Sequence, residues 1–92
     1  MTSTASNELD ILRNKISQLD NSILELLIER FKLTDEVGRI KKLNNISIEN
    51  RDVEVKVLSR VLDKTKDSLS EEFVIRLYSE IFYESKNRQK KI

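Results

Sequence analysis

The chain has 92 residues, with 17 lysines and arginines against 16 acids, one glycine, and no histidine, cysteine or proline. A length of this order gives one domain with room for only a modest core. Lacking cysteine and histidine, it has no thiol nucleophile, Ser-His-Asp relay, disulfide framework or zinc site of the usual kind, and its net charge of +1 provides no global field for nucleic acid.

Residues 1–6 are small and polar, which predicts a short disordered tail and not a signal peptide. No apolar stretch approaches the length of a membrane span, so a soluble cytoplasmic protein is expected. A chain without proline and with a single glycine suits helices better than sandwiches or barrels.

The first helix is predicted over about residues 7–43, with Ser6 or Asn7 as its cap and Glu8 and Asp10 in its first turn. Leu9, Leu12, Ile16, Leu19, Ile23, Leu26, Leu33, Val37 and Ile40 alternate three and four apart and form one a/d seam. Arg30 stands where the spacing calls for a hydrophobe between Leu26 and Leu33. A guanidinium keeps its charge and is costly to bury unpaired, so an anionic partner is expected there. A polar seam residue that sets coiled-coil register is the competing explanation.

Such a helix runs about 55 Å, whereas a compact chain of this length has a radius of gyration of about 12 Å. Much of the seam would lie in water, which predicts a homodimer in which a second copy covers it. Arg13 lies about 25 Å from Arg30 along the axis, too far for one small molecule to touch both. An antiparallel partner helix would bring its own Arg13 beside Arg30 and create two equivalent shared sites. Arg30, Val37 and Lys41 fall within about 40° on the helical wheel, joining a guanidinium, a methyl surface and an ammonium on one face. Gly38 disfavours the helix by about 1 kcal/mol relative to alanine. Either a close backbone approach requires it, or the helix frays there.

Asn44 to Glu49 reads as a loop, and Asn50 as the N-cap of a second helix over about residues 51–66. Its apolar stripe is Val53, Val57, Leu58, Val61 and Leu62. Glu54 lies on the line through Leu58 and Leu62 and so borders the buried face. Ser68-Leu69-Ser70-Glu71 has capping-box spacing, with Glu72 as a second acid, and starts a third helix over about residues 71–90. The inner face of that helix is Val74, Leu77, Tyr78, Ile81 and Phe82, then Ser85 and Gln89, so it turns from apolar to hydrogen-bonding. The stretch from Lys86 to Ile92 is basic. With no repeat and no linker, residues 1–92 read as a single domain.

Leu12-Arg13, Leu26-Leu27-Ile28-Glu29-Arg30, Glu36-Val37-Gly38-Arg39-Ile40-Lys41, Ile48-Glu49-Asn50 with Glu54, and Glu84-Ser85 with Gln89 resemble the motifs of the all-helical (class II) chorismate mutases. The likeness runs from about Leu9 to Gln89. Single motifs of this kind are common on helices, but the whole set in this order is specific. The resemblance implies an all-α, three-helix, intertwined homodimer that converts chorismate to prephenate in the shikimate pathway towards phenylalanine and tyrosine, with no cofactor and no metal.

Carried over residue by residue, Arg30 and the partner copy's Arg13 would bind the two carboxylates, while Lys41 and Gln89 would hydrogen-bond the ether oxygen of the breaking bond. Glu54 would accept from the ring hydroxyl with Asn50 near it, Ser85 would help to hold a carboxylate, and Val37 would line the pocket. The catalytic set is thus Lys41, Gln89, Arg30 and Glu54. The expected partners are chorismate and a second copy of the chain, with neither nucleic acid nor membrane, and an activating partner enzyme is left open.

A pericyclic rearrangement needs no nucleophile or proton transfer, so a chain without histidine or cysteine is not thereby disqualified. What it needs is restraint of a flexible dianion and donors where charge grows. Gln89 is a neutral donor at any working pH. Two positions depart from the family pattern. Asn50 stands where an acid is usual, and Val53 stands where an arginine is usual, which removes a charge beside the site. Arg51 points elsewhere round the helix, yet lies within i, i+3 reach of Glu54. Within the same fold, an isochorismate pyruvate lyase is the near alternative. A non-catalytic helical dimerisation or regulatory module is favoured by Val53. A nucleic-acid binder would use Arg88, Lys90 and Lys91, a short run with no aromatic platform.

Overall fold

A computed structural model describes residues 2–92, which form three α-helices and no strand: α1 (Thr2–Leu43), α2 (Arg51–Thr65) and α3 (Glu71–Lys90). Contacts divide the chain after Lys32 into two units. No helix among the described residues is long and apolar enough to cross a membrane.

The first unit is the part of α1 that ends at Lys32. It begins earlier than the sequence predicts. Thr2–Ser6 are helical, which corrects the expected tail over residues 1–6, Met1 lying outside the described residues. No glycine or proline interrupts this stretch, so nothing local stops the helix from running on. Ser6 and Asn7 are interior positions as a result, and α1 has no acid in its first turn. The seam residues Leu9, Leu12, Ile16, Leu19, Ile23 and Leu26 are 47% to 66% exposed, so the chain alone does not cover them.

The second unit, Leu33–Ile92, holds the last turns of α1 together with α2 and α3. Here too the seam is left open, with Leu33, Val37 and Ile40 exposed. The small and polar face of α1, with Thr34, Asp35 and Gly38, meets α3 in their place.

Helix α1 ends on Asn45, whose φ of 55° lies in the left-handed region that asparagine tolerates better than most residues. The Asn45 N–H donates to the Lys42 carbonyl at 3.4 Å and the Ile46 N–H to the Lys41 carbonyl at 2.8 Å, the paired bonds of a Schellman closure. The chain then turns back along α1.

Asn50 caps α2, its side chain accepting from the Val53 N–H at 3.2 Å, and Ser70 caps α3 by accepting from the Phe73 N–H at 3.2 Å. The α3 cap is Ser70 and not Ser68. The Ser68 and Leu69 N–H groups both bond to the Thr65 carbonyl at 2.9 Å, which continues the α2 turn through the expected capping position. Helices α2 and α3 pack on each other through buried Val61, Val74 and Ile81. Full burial of an aliphatic side chain contributes about 1.5–3 kcal/mol. Tyr78 and Phe82 add an edge-to-face pair with ring centroids 5.8 Å apart. Two stripe residues fall outside this core. Val53 sits in the exposed first turn of α2, and Leu77 faces outward with Phe73.

Candidate active site

Gly38 is the point where α1 admits α3. A Cβ at this position would lie 2.7 Å from Cγ and 3.1 Å from Cβ of Gln89, so only a residue without a side chain allows the approach. Close packing, and not fraying, accounts for the glycine. Gln89 is 8% exposed. Its Nε2 donates to the Thr34 carbonyl at 2.9 Å, while its buried Oε1 has no partner among the described residues. Because a carbonyl can only accept, this bond fixes which way round the amide lies. One N–H and the amide oxygen remain uncommitted.

Lys41, one turn further along α1, lines the same cleft of about 330 Å³ as Gly38, Ile48 and Gln89. Its ammonium donates to the Ile48 carbonyl at 3.0 Å, so the segment after the Schellman closure holds the cation in place. Two neighbouring contacts seat α3 on α1. Arg88 grips Asp35 with a two-pronged pair, Nε to Oδ1 at 3.1 Å and Nη2 to Oδ2 at 2.8 Å. The Ser85 hydroxyl donates to the Ile81 carbonyl at 2.9 Å and accepts from the Thr34 hydroxyl at 3.4 Å, so it is engaged within the chain. The hydrogen bonds from Arg88 hold the Asp35 carboxyl below its ordinary range against the opposing effect of desolvation, with the positive charges of Arg88 and Arg39 adding to the lowering.

Glu54 lies in a second cleft, between α2 and α3, with Glu49, Arg51 and Lys86. Its partner is not Arg51 from the same helix. The Lys86 ammonium lies 3.2 Å from Glu54 Oε2 and 3.3 Å from Glu49 Oε1. Burial works to lower the lysine pKa, but its hydrogen bonds to Glu54 and Glu49 outweigh that and leave it raised. Asn50, beside this cleft in sequence, spends its side-chain oxygen on the α2 cap.

The remaining expected residues are not among those that line these two clefts. Val37 is exposed on the seam and lines neither. Arg13 and Arg30 belong to the first unit. There Arg13 faces Asp10 at 3.9 Å as an exposed pair, and Arg30 is partly buried. Thr34, Asp35 and Lys86 are not among the residues that the sequence pattern points to. Lys86 had a signal: it continues the Tyr78–Phe82 line by one more helical turn.

Fold and site together define an all-helical chain in which a lysine and a buried amide line one cleft. Residues 12–90 match the family described as Chorismate mutase type II, and the chain belongs to that family. It is similar to the bifunctional chorismate mutase/prephenate dehydratase of Escherichia coli (strain K12), 37% identical over 83 residues that make up 89% of this chain and 22% of that protein. The enzyme of the same name from Buchnera aphidicola is 34% identical over 89 residues, 96% of this chain and 23% of that protein. That from Aquifex aeolicus is 33% identical over 89 residues, 92% and 25% respectively. The chain thus spans about a quarter of the length of the curated relatives it matches.

Two predictions arise from this packing. Gly38→Ala gains about 1 kcal/mol of helix propensity, but it loses a hydrogen bond worth about as much and adds an over-packing cost of about 1–3 kcal/mol where its Cβ meets Gln89, so the melting temperature should fall. The Gln89 side-chain amide should meanwhile lose its protection from hydrogen exchange; an undisturbed amide resonance would contradict the contact. For Asp35, a folded-state pKa below the ordinary 3.8 means that its stabilisation is complete above that value and is lost as pH falls through the lower folded value. Asp35→Asn should therefore melt below wild type at neutral pH, with the gap closing only below about pH 4. A gap unchanged into strong acid would argue against the pair.

Proposed function

We propose that this chain rearranges chorismate to prephenate, in the biosynthesis of phenylalanine and tyrosine, within a homodimer whose two active sites are each shared between copies. What supports this reading most is the family match over residues 12–90 together with one cleft lined by Lys41 and a buried, half-satisfied Gln89 amide. The reaction breaks a carbon–oxygen bond while a carbon–carbon bond forms, and negative charge grows on the departing ether oxygen. Lys41 supplies a point charge to that oxygen and Gln89 a neutral N–H. Donors already held in place by Ile48 and Thr34 need little reorganisation as the charge develops.

Arg30 and the partner copy's Arg13 bind the two carboxylates as planar forks. Glu54, with Asn50 nearby, accepts from the ring hydroxyl. Ser85 helps to hold a carboxylate by turning its O–H from the Ile81 carbonyl to the substrate oxygen, and Val37 supplies an apolar wall. The uncovered α1 seam is the surface that a second copy would bury, in the intertwined arrangement. The reading needs neither metal nor cofactor, places the activity in the cytoplasm and treats residues 1–92 as one functional domain. The basic run at the end of α3 is a weak rival as a nucleic-acid site, because Arg88 is committed to Asp35.

Purified protein incubated with chorismate should form prephenate, and incubation with isochorismate should yield little salicylate and pyruvate; the opposite outcome would favour the lyase. Lys41→Ala should lower kcat about a hundredfold and Gln89→Ala about tenfold, each with a smaller change in KM. Wild-type turnover in both variants would end the site assignment. Arg13→Ala and Arg30→Ala chains should each be impaired alone, yet an equal mixture should recover about a quarter of wild-type activity, since half the dimers then carry one intact site. No recovery after subunit exchange would count against sharing.

A further inference from the structure

We infer that Lys86 is the positioning residue for Glu54, bridging α3 to α2 so that the carboxylate presents its other oxygen to the substrate hydroxyl. This rests on the proposed rearrangement and on the acceptor role given to Glu54. The ammonium lies 3.2 Å from Glu54 Oε2 and leaves Oε1 to the substrate. Both side chains of this pair are 25% exposed, whereas Glu49, the second carboxylate on the same ammonium, is 51% exposed. Lys86–Glu54 is therefore the shielded contact and Glu49 its outer neighbour.

A partly desolvated pair holds its geometry better than a surface pair that water and salt screen. Removing the ammonium would leave two carboxylates facing each other in one cleft, with Arg51 alone to offset them. Lys86 also stands next to Ser85 and one turn before Gln89, so one stretch of α3 would orient both the hydroxyl acceptor and the ether-oxygen donor. Val53 contributes no charge to Glu54, and Lys86 supplies one from the facing helix.

The ring hydroxyl stands on the carbon beside the breaking carbon–oxygen bond but takes no part in the bond changes itself, so weakening its acceptor should show first in KM. Lys86→Met should raise KM for chorismate about tenfold with kcat within about threefold, and Lys86→Arg should stay close to wild type. Glu54→Gln should raise KM by a similar factor. The double variant Lys86→Met/Glu54→Gln should match Glu54→Gln alone to within about twofold, because the lysine acts through the carboxylate. Lys86→Gln replaces the methionine variant should that one not fold, with the same rise expected. An unchanged KM in a folded Lys86 variant, or effects that multiply in the double variant, would overturn the inference while leaving the rearrangement standing. Failure of wild-type protein to convert chorismate would instead remove the functional reading and this inference together.

Discussion

The contact between Gln89 and the Thr34 carbonyl, made across the bare backbone of Gly38, is the constraint on which the rest of the second unit depends. It seats the last turns of α3 against α1 closely enough for Arg88 to meet Asp35 and for Ser85 to meet Thr34. Each of these bonds is modest alone, about 1 kcal/mol for a neutral pair. Together they fix rotation and height, because Thr34 and Asp35 are consecutive on one helix and Arg88 and Gln89 consecutive on the other. The buried amide is consequently held at a set angle, with part of its hydrogen-bonding capacity unspent.

The division of labour on α1 is unusual for an amphipathic helix. Within the chain, its small and polar positions do the packing, while the apolar seam faces outward along nearly its whole length. Hydrophobic burial inside the second unit comes chiefly from α2 against α3. An exposed apolar stripe of this extent is a large amount of unspent driving force in water. The uncovered face lies on a long helix whose one glycine, Gly38, packs against α3.

Much of this could be read from residue order. The ends of α2 and α3, the caps at Asn50 and Ser70's neighbourhood, the inner positions Val61, Val74 and Ile81, and the change to Ser85 and Gln89 all follow from periodicity and capping chemistry. Family likeness over most of the chain was equally legible. What escaped was tertiary. No local pattern tells that Thr34 offers its carbonyl, that Asp35 selects Arg88, or that Lys86 reaches Glu54, since each pairing joins different helices. The helix start was misplaced for a different reason: Thr2–Ser6 carry weak preferences either way, and a continuing helix outweighs them.

Asn45 and its left-handed backbone have a further consequence for how freely this protein can vary. Loops generally accept insertions, because a longer loop adds little closure entropy. The connection after α1 is different. Lys41 is bound to it twice, the main-chain carbonyl by Ile46 at 2.8 Å and the ammonium by the carbonyl of Ile48 at 3.0 Å. Adding even one residue between those anchors would re-aim the cation as well as lengthen the turn. A segment that looks like a spacer is in effect part of the lysine's mount, and its length is under the same restriction as the side chain it carries.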